Sequence, residues 1–277
     1  MRVLPFFLFP QCLLRRMRFS SALLRSTALE LTILAGHLLL YPSGLTPERR
    51  AEDDRDPAET ATITGPDRPP VVLLHGFVDN RSVFVLLRRS LARHGWRRIE
   101  ALNYSPLTCD IRVAAELLAR HVEEICARTG HQQVDVVGHS LGGLIARYYV
   151  QRLGGDTRVR TLVTLGTPHS GTHVAQLMSA HPIVRQMLPG SSVIEELRKP
   201  AEGCCTRFVS FWSDLDHLMA PVESACVQHP DLIVQNVRVS GIGHLALPVH
   251  PAVAAGIRQA LESAETEAGA TGAVSVA

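Results

Sequence analysis

Ser140 is the residue of this chain best placed to act as a nucleophile. It stands in Gly138-His139-Ser140-Leu141-Gly142-Gly143, directly after the β-branched run Val134-Asp135-Val136-Val137 and directly before the apolar stretch Leu144 to Val150. Strand, glycine-rich turn and helix in that order predict a sharp corner. The corner residue has strained backbone geometry, and flanking glycines such as Gly138 and Gly142 remove side chains that would collide there. The corner exposes the serine at the carboxyl end of its strand. The amide of Leu141 then faces, from a helix N-terminus, the place where an oxyanion would form. The plainer alternative is a glycine-rich turn whose serine caps a helix.

A serine hydroxyl is a poor nucleophile until a base removes its proton, and a histidine base needs an acid to hold its tautomer. The chain has 13 histidines, and only His217, His229, His244 and His250 follow a plausible acid. His244 is the expected base, because Gly241-Ile242-Gly243 lets the loop after the strand Val237 to Ser240 bend back towards the elbow. A polar loop histidine on the surface is the bland alternative. The acid is expected just after the strand that ends near Trp212, where Asp214 and Asp216 both qualify. Asp216 is preferred, because the following His217-Leu218-Met219-Ala220-Pro221 can bury it. The other aspartate reads as a turn or helix cap. A second oxyanion donor is expected from the loop His75-Gly76-Phe77-Val78, with Gly76 allowing close approach and Phe77 supplying the amide. His75 is expected to orient that loop, His139 to fill the free elbow position, and His169 to open a connecting loop and line the pocket.

These residues need a scaffold that brings strand ends together. Short apolar strands are expected at Val71 to Leu74, Ile99 to Tyr104, Val134 to Val137, Thr161 to Leu165, Phe208 to Trp212 and Val237 to Ser240. Between them lie helical patterns at Phe84 to Leu91, at Asp110 to Arg128 with apolar residues at helical spacing, and at Pro251 to Leu261. Strands alternating with helices predict an α/β fold, a mostly parallel sheet covered on both faces, with ligands bound outside the carboxyl ends of the strands. At 277 residues and 46% hydrophobic content the chain can build a sizeable core. A formal net charge of only +2 gives no support to a nucleic-acid partner. Six cysteines, with Cys204 and Cys205 adjacent and no C-x-x-C pair, suggest neither a disulfide framework nor a zinc site. Cys109 and Cys126 flank a helix and could pair or simply pack.

The first 70 residues read differently. Residues 1–41 form a signal- or anchor-like segment: Val3 to Leu14 is apolar but broken by Pro5 and Pro10, Arg15, Arg16 and Arg18 follow, and Thr27 to Tyr41 is apolar again around Glu30 and His37. Neither stretch reaches the ~20 apolar residues of a spanning helix. Three readings stand: an uncleaved anchor, an export signal, or a helix packed on the core. Arginines followed by an apolar run favour export or membrane association over a cytoplasmic location. Residues 42–70, rich in proline and in charges of both signs, are expected as a linker. Residues 71–263 form the catalytic domain, and 264–277 a loose tail.

Taken together, His75-Gly76-Phe77, the Ser140 elbow, Leu165-Gly166-Thr167-Pro168-His169-Ser170-Gly171-Thr172, Ser213-Asp214-Leu215-Asp216 and Gly241-Ile242-Gly243-His244 resemble bacterial lipases and esterases of the α/β-hydrolase superfamily. The resemblance runs from about Val71 to Leu261. It implies Ser140 as nucleophile, Asp216 as acid, His244 as base and the Phe77 and Leu141 amides as oxyanion donors. It also implies a lid between Leu165 and Phe208. The expected substrate is an apolar ester, hydrolysed without a metal or organic cofactor, and the expected state is a monomer. In that interval Val174, Leu177, Met178, Ile183, Val184, Met187 and Leu188 could cover a pocket or form ordinary buried helices. Acyl transfer or thioester cleavage by the same residues is the alternative activity, and a non-catalytic binding module is the alternative class.

Overall fold

The computed structural model of the protein describes residues 21–45, 68–104 and 110–272. Six parallel strands form its sheet, in the order β2-β1-β3-β4-β5-β6. They are β1 (Val71–Leu74), β2 (Ile99–Leu102), β3 (Val134–His139), β4 (Val159–Leu165), β5 (Arg207–Ser213) and β6 (Ile233–Val239). Every strand expected from the sequence is present. The last begins earlier than expected, because an edge strand with an exposed outer face shows little apolar patterning.

The helices are α1 (Ser21–Leu45), α2 (Val85–Arg93), α3 (Ile111–Thr129), α4 (Leu141–Arg152), α5 (Pro182–Arg185), α6 (Ser192–Arg198) and α7 (Pro251–Gly272). Helix α3 begins where Asp110 accepts a bond from Arg112 N at 2.7 Å, and stops where Gly130 takes a left-handed φ of 76°. The alternation along each strand divides the core in two. Val72, Leu74, Val134 and Val136 pack under α3 and α4, while Val71, Leu73, Val137 and Val163 pack against α2 and α7. Helix α7 runs on to Gly272, past the expected end at Leu261, so part of the tail expected to be loose continues the helix. Helix α1 similarly continues past Tyr41 through Pro42. Asn80 Nδ2 donates to the Tyr41 carbonyl at 2.8 Å and Asn103 Nδ2 to that of Gly44 at 2.5 Å, satisfying carbonyls of its last turn. The rest of the linker segment (46–67), the apolar run and arginines of residues 1–20, Cys109 and residues 273–277 lie outside the described residues.

One charged pair sits inside the sheet. Asp135 on β3 is fully buried, and Arg160 on β4 grips it through Nε–Oδ1 at 3.0 Å and Nη2–Oδ2 at 2.6 Å. Arg160 Nη2 also donates to the Leu261 carbonyl at 3.3 Å, tying α7 to the sheet. Burial pushes the Asp135 carboxyl up despite the guanidinium beside it. Arg160→Ala would leave that carboxylate alone in the core. It is expected to lower unfolding free energy by about 3–5 kcal/mol in urea titrations, and the further change Asp135→Val should recover most of the loss.

Candidate active site

The parallel register aligns the strand ends that the site needs. Leu74 pairs with Gly138, His139 with Leu165, Leu165 with Phe211, and Ser213 with Val239. The residues that follow these positions, His75–Asn80, Ser140, Gly166–His169, Asp214–Asp216 and Ser240–His244, therefore emerge along one edge. β1 and β3 are neighbours whose chains leave in opposite directions, to β2 and to β4. That arrangement opens a crevice at the carboxyl edge.

Ser140 sits at φ 51° and ψ −117°, and it is the sole non-glycine residue with positive φ among the described residues. Such a conformation costs about 1–3 kcal/mol and persists only where neighbours enforce it. Ser140 N donates to Leu165 O at 2.9 Å, and the Ser140 carbonyl accepts from Thr167 Oγ1 at 3.0 Å and Gly143 N at 3.1 Å. A Cβ on Gly138 would fall 2.6 Å from Gly143 Cα, and one on Gly142 would run into the Leu74 carbonyl. The glycines thus allow α4 to start directly against β1 and β3.

Asp216 and His244 meet across the next strand ends. His244 Nδ1 lies 2.7 Å from Asp216 Oδ2, and Asp216 Oδ1 accepts from Leu218 N at 3.0 Å. Asp216 is fully buried and His244 nearly so. Gly166, at φ +53°, makes room for the pair: a Cβ there would lie 2.7 Å from Asp216 Oδ2 and 3.0 Å from His244 Nδ1. Burial opposes the charged imidazole, but Asp216, by charge and hydrogen bond, with help from Asp79 and Glu30, raises the His244 pKa overall. The competing candidates are occupied elsewhere. Asp214 pairs with Arg238 at 2.8 Å, His250 accepts from Ala252 N at the start of α7, His229 bonds the Lys199 carbonyl, and His217 is exposed.

Ser140 and His244 both line a cavity of about 140 Å³. Gly76, Phe77 and Val78 form one side, and Val174, Ala175, Val184 and Met187 roof it. The interval between Leu165 and Phe208 has two readings in the sequence, a cover over a pocket or ordinary buried helices, and Val184 and Met187 both line the cavity and are buried. Ile183, Val184 and Met187 are buried, while Leu177 is 85% exposed. The roof is fastened by Arg112, which bonds Glu196 at 2.6 Å, and by the buried Arg147, which donates to the carbonyls of His169 and Leu197. Burial, then Arg152, pull the Arg147 pKa down to about 9. His169 does not face the cavity as expected; its Nε2 bonds Thr164 Oγ1 at 2.9 Å inside the core, and Pro168 lines the cavity instead. His75 is buried, stacks on Tyr104 at 4.2 Å and bonds the Gly76 carbonyl.

Sequence reasoning missed Asp79, Asn80 and the inward face of α1. Asp79 lies 3.5 Å from His139 Nδ1 and 3.7 Å from His37 Nδ1. His139 in turn approaches the His244 carbonyl at 3.3 Å and its ring at 4.7 Å. Burial would raise the Asp79 carboxyl, yet His139, His37 and His75 together hold it below the usual range. The one available signal was two titratable residues, Glu30 and His37, a multiple of the helical turn apart in an apolar run. Among the described residues no group of three or more metal-ligating side chains could hold a metal ion.

The chain has the α/β-hydrolase fold. The family model described as alpha/beta hydrolase fold matches residues 69–182. Two curated relatives named triacylglycerol lipase are similar to it. That of Vibrio cholerae is 33% identical over 135 residues, which is 47% of this chain and 40% of the relative. That of Burkholderia plantarii is 30% identical over 131 residues, 44% of this chain and 36% of the relative. The matched part thus spans well under half of either relative. Among solved structures, Aspergillus fumigatus lipase B superposes with a TM-score of 0.63 at 18% identity, covering 70% of this chain and 52% of that one. A mature lipase of Bacillus licheniformis gives 0.60 at 16% identity, covering 71% and 93%.

In an NMR titration, His244 is expected to titrate above the ordinary histidine value of about 6.5. Asp216→Asn removes the largest raising influence and should lower it, while Asp214→Asn should leave it in place.

Proposed function

We propose that this protein is a serine hydrolase of carboxylic esters with apolar acyl groups, acting through an acyl-enzyme on Ser140. The observation that carries the reading is the strained Ser140 sharing an apolar cavity with His244, whose far nitrogen is held by buried Asp216. His244 takes the Ser140 proton as Oγ attacks the ester carbonyl. The amides of Phe77 and Leu141 stabilise the oxyanion, each donor worth about 100- to 1,000-fold in rate. His244 then protonates the leaving alcohol. A water activated by the same histidine attacks the acyl carbonyl, the bond to Ser140 Oγ breaks, and the acid departs. His75, stacked on Tyr104, holds the loop that presents Phe77.

The site works at a lipid surface, with α1 lying against it. Helix α1 has inverted polarity: Glu30, Ile33, His37 and Tyr41 face the body, while Leu31, Leu38 and Leu39 are 62%, 66% and 82% exposed. From Thr27 to Gly44 its outward face carries no charged side chain. A surface helix facing water has the opposite arrangement. Val78 and Leu218, which line the cavity, are exposed apolar side chains as well. Helix α1 lies on such a surface rather than through it, since no helix among the described residues is long and apolar enough to cross a membrane.

A fluorophosphonate probe should label the wild type and not Ser140→Ala; equal labelling of both would sink the serine mechanism. Asp216→Asn should lower kcat by about 10⁴-fold. Across p-nitrophenyl esters, kcat/KM should rise from acetate towards longer acyl chains, and a steep preference for acetate would reject the apolar acyl pocket. The protein should float with anionic phosphatidylglycerol vesicles, and Leu31→Ser with Leu39→Ser should weaken that binding by about tenfold or more. A leucine-dependent dimer without flotation would put a second copy on this face instead.

A further inference from the structure

We infer that Glu30, from the helix ahead of the catalytic fold, is a positioning residue for His244. The inference rests on His244 being the base, and its test is read as ratios to a wild type that is active and labelled by the fluorophosphonate.

The Glu30 carboxylate is bonded to the turn that carries the histidine. Its Oε2 accepts from Leu245 N and its Oε1 from Ala246 N, each at 3.0 Å. Two consecutive amides directed at one carboxylate make an anion-binding turn, and charge-assisted bonds of this kind are about twice as strong as neutral ones. The chain leaves space for it: a Cβ on Gly243 would lie 2.5 Å from Glu30 Cδ. Any side chain at that position would push the carboxylate off the turn. The glycine before the base is therefore needed for the passage of Glu30 as well as for the bend.

Three contacts then fix His244 from three elements. Asp216, after β5, holds the ring at Nδ1; His139, at the end of β3, meets the carbonyl; Glu30, on α1, holds the two amides that follow. The same helix reaches the oxyanion loop, where His37 faces Asp79 and Asn80 caps α1. Helix α1 thus spans both loops that must keep their spacing around Ser140. A displacement of about 1 Å at a reacting group can cost about 100-fold in rate. The charged groups facing His244 are Asp216, Asp79 and Glu30, and the His139 ring lies tilted beside its ring at 4.7 Å. Removing the Glu30 charge takes away one of the influences that favour the imidazolium.

Kinetics on a short, water-soluble ester keep lipid binding out of the measurement. Glu30→Ala is expected to lower kcat by about 10- to 100-fold with KM within about twofold, and to move the acid limb of the kcat profile to lower pH. Glu30→Gln keeps an acceptor for one amide but no charge. It should recover part of kcat while its acid limb stays shifted. Thr32→Ala, on the outer face of the same helix, should match the wild type in both. Should Glu30→Ala fail to fold by circular dichroism, Glu30→Gln decides. Wild-type kcat and an unmoved acid limb in the folded Glu30 variants would overturn the inference. So would an equal loss in Thr32→Ala, which would assign the effect to the helix at large.

Discussion

The backbone of Ser140 is the constraint on which the other parts of the site depend. A serine at φ 51° is unfavourable by itself, so the surrounding packing must hold it there. It is held by β4 through Leu165 O and by Thr167 on the following loop. The absence of side chains at Gly138 and Gly142 lets α4 start against the strand ends. The same local geometry that strains the serine exposes its hydroxyl and aims the first turn of a helix beside it. Strain and exposure at this corner have one cause.

The rest of the site is arranged around that corner by strand register. Parallel pairing brings the ends of β1, β3, β4, β5 and β6 to one edge, so groups far apart in sequence become neighbours. Gly166 shows how tight the arrangement is, since its missing side chain is the space in which Asp216 and His244 meet. Buried charge then acts in two ways. Around His244 the nearby carboxylates outweigh burial and favour the imidazolium. Beneath the roof, Arg147 has only neutral acceptors among the described residues, and it joins α4 to the segment covering the cavity. The roof is thereby coupled to the helix that starts at Ser140.

Helix α1 adds a layer outside the segment matched by the family model. Its titratable side chains point inward to the His244 turn and to Asp79, and its leucines point outward. One element therefore contacts both the turn after His244 and the surroundings of the protein. A soluble amphipathic helix buries its leucines; this one buries its polar residues, because the body offers amides and a histidine–carboxylate cluster for them to bind.

Much was legible in the sequence alone. The elbow and the six strands are local signals, because periodicity, glycine placement and turn chemistry lie within a few residues of one another. The separation of Asp216 from Asp214 was legible as a preference, through the apolar residues that follow Asp216. The inverted face of α1, the turning of His169 into the core and the Asp79 cluster were not. Each depends on which side chains meet across elements more than thirty positions apart or on the way a loop turns, and the helical spacing of Glu30 and His37 is the one short-range trace of it. The sequence by itself determined the strained corner at Ser140, because backbone sterics act between neighbours. The tertiary structure alone decided what surrounds His244, because a carboxylate at position 30 and amides at 245 and 246 are brought together only by packing.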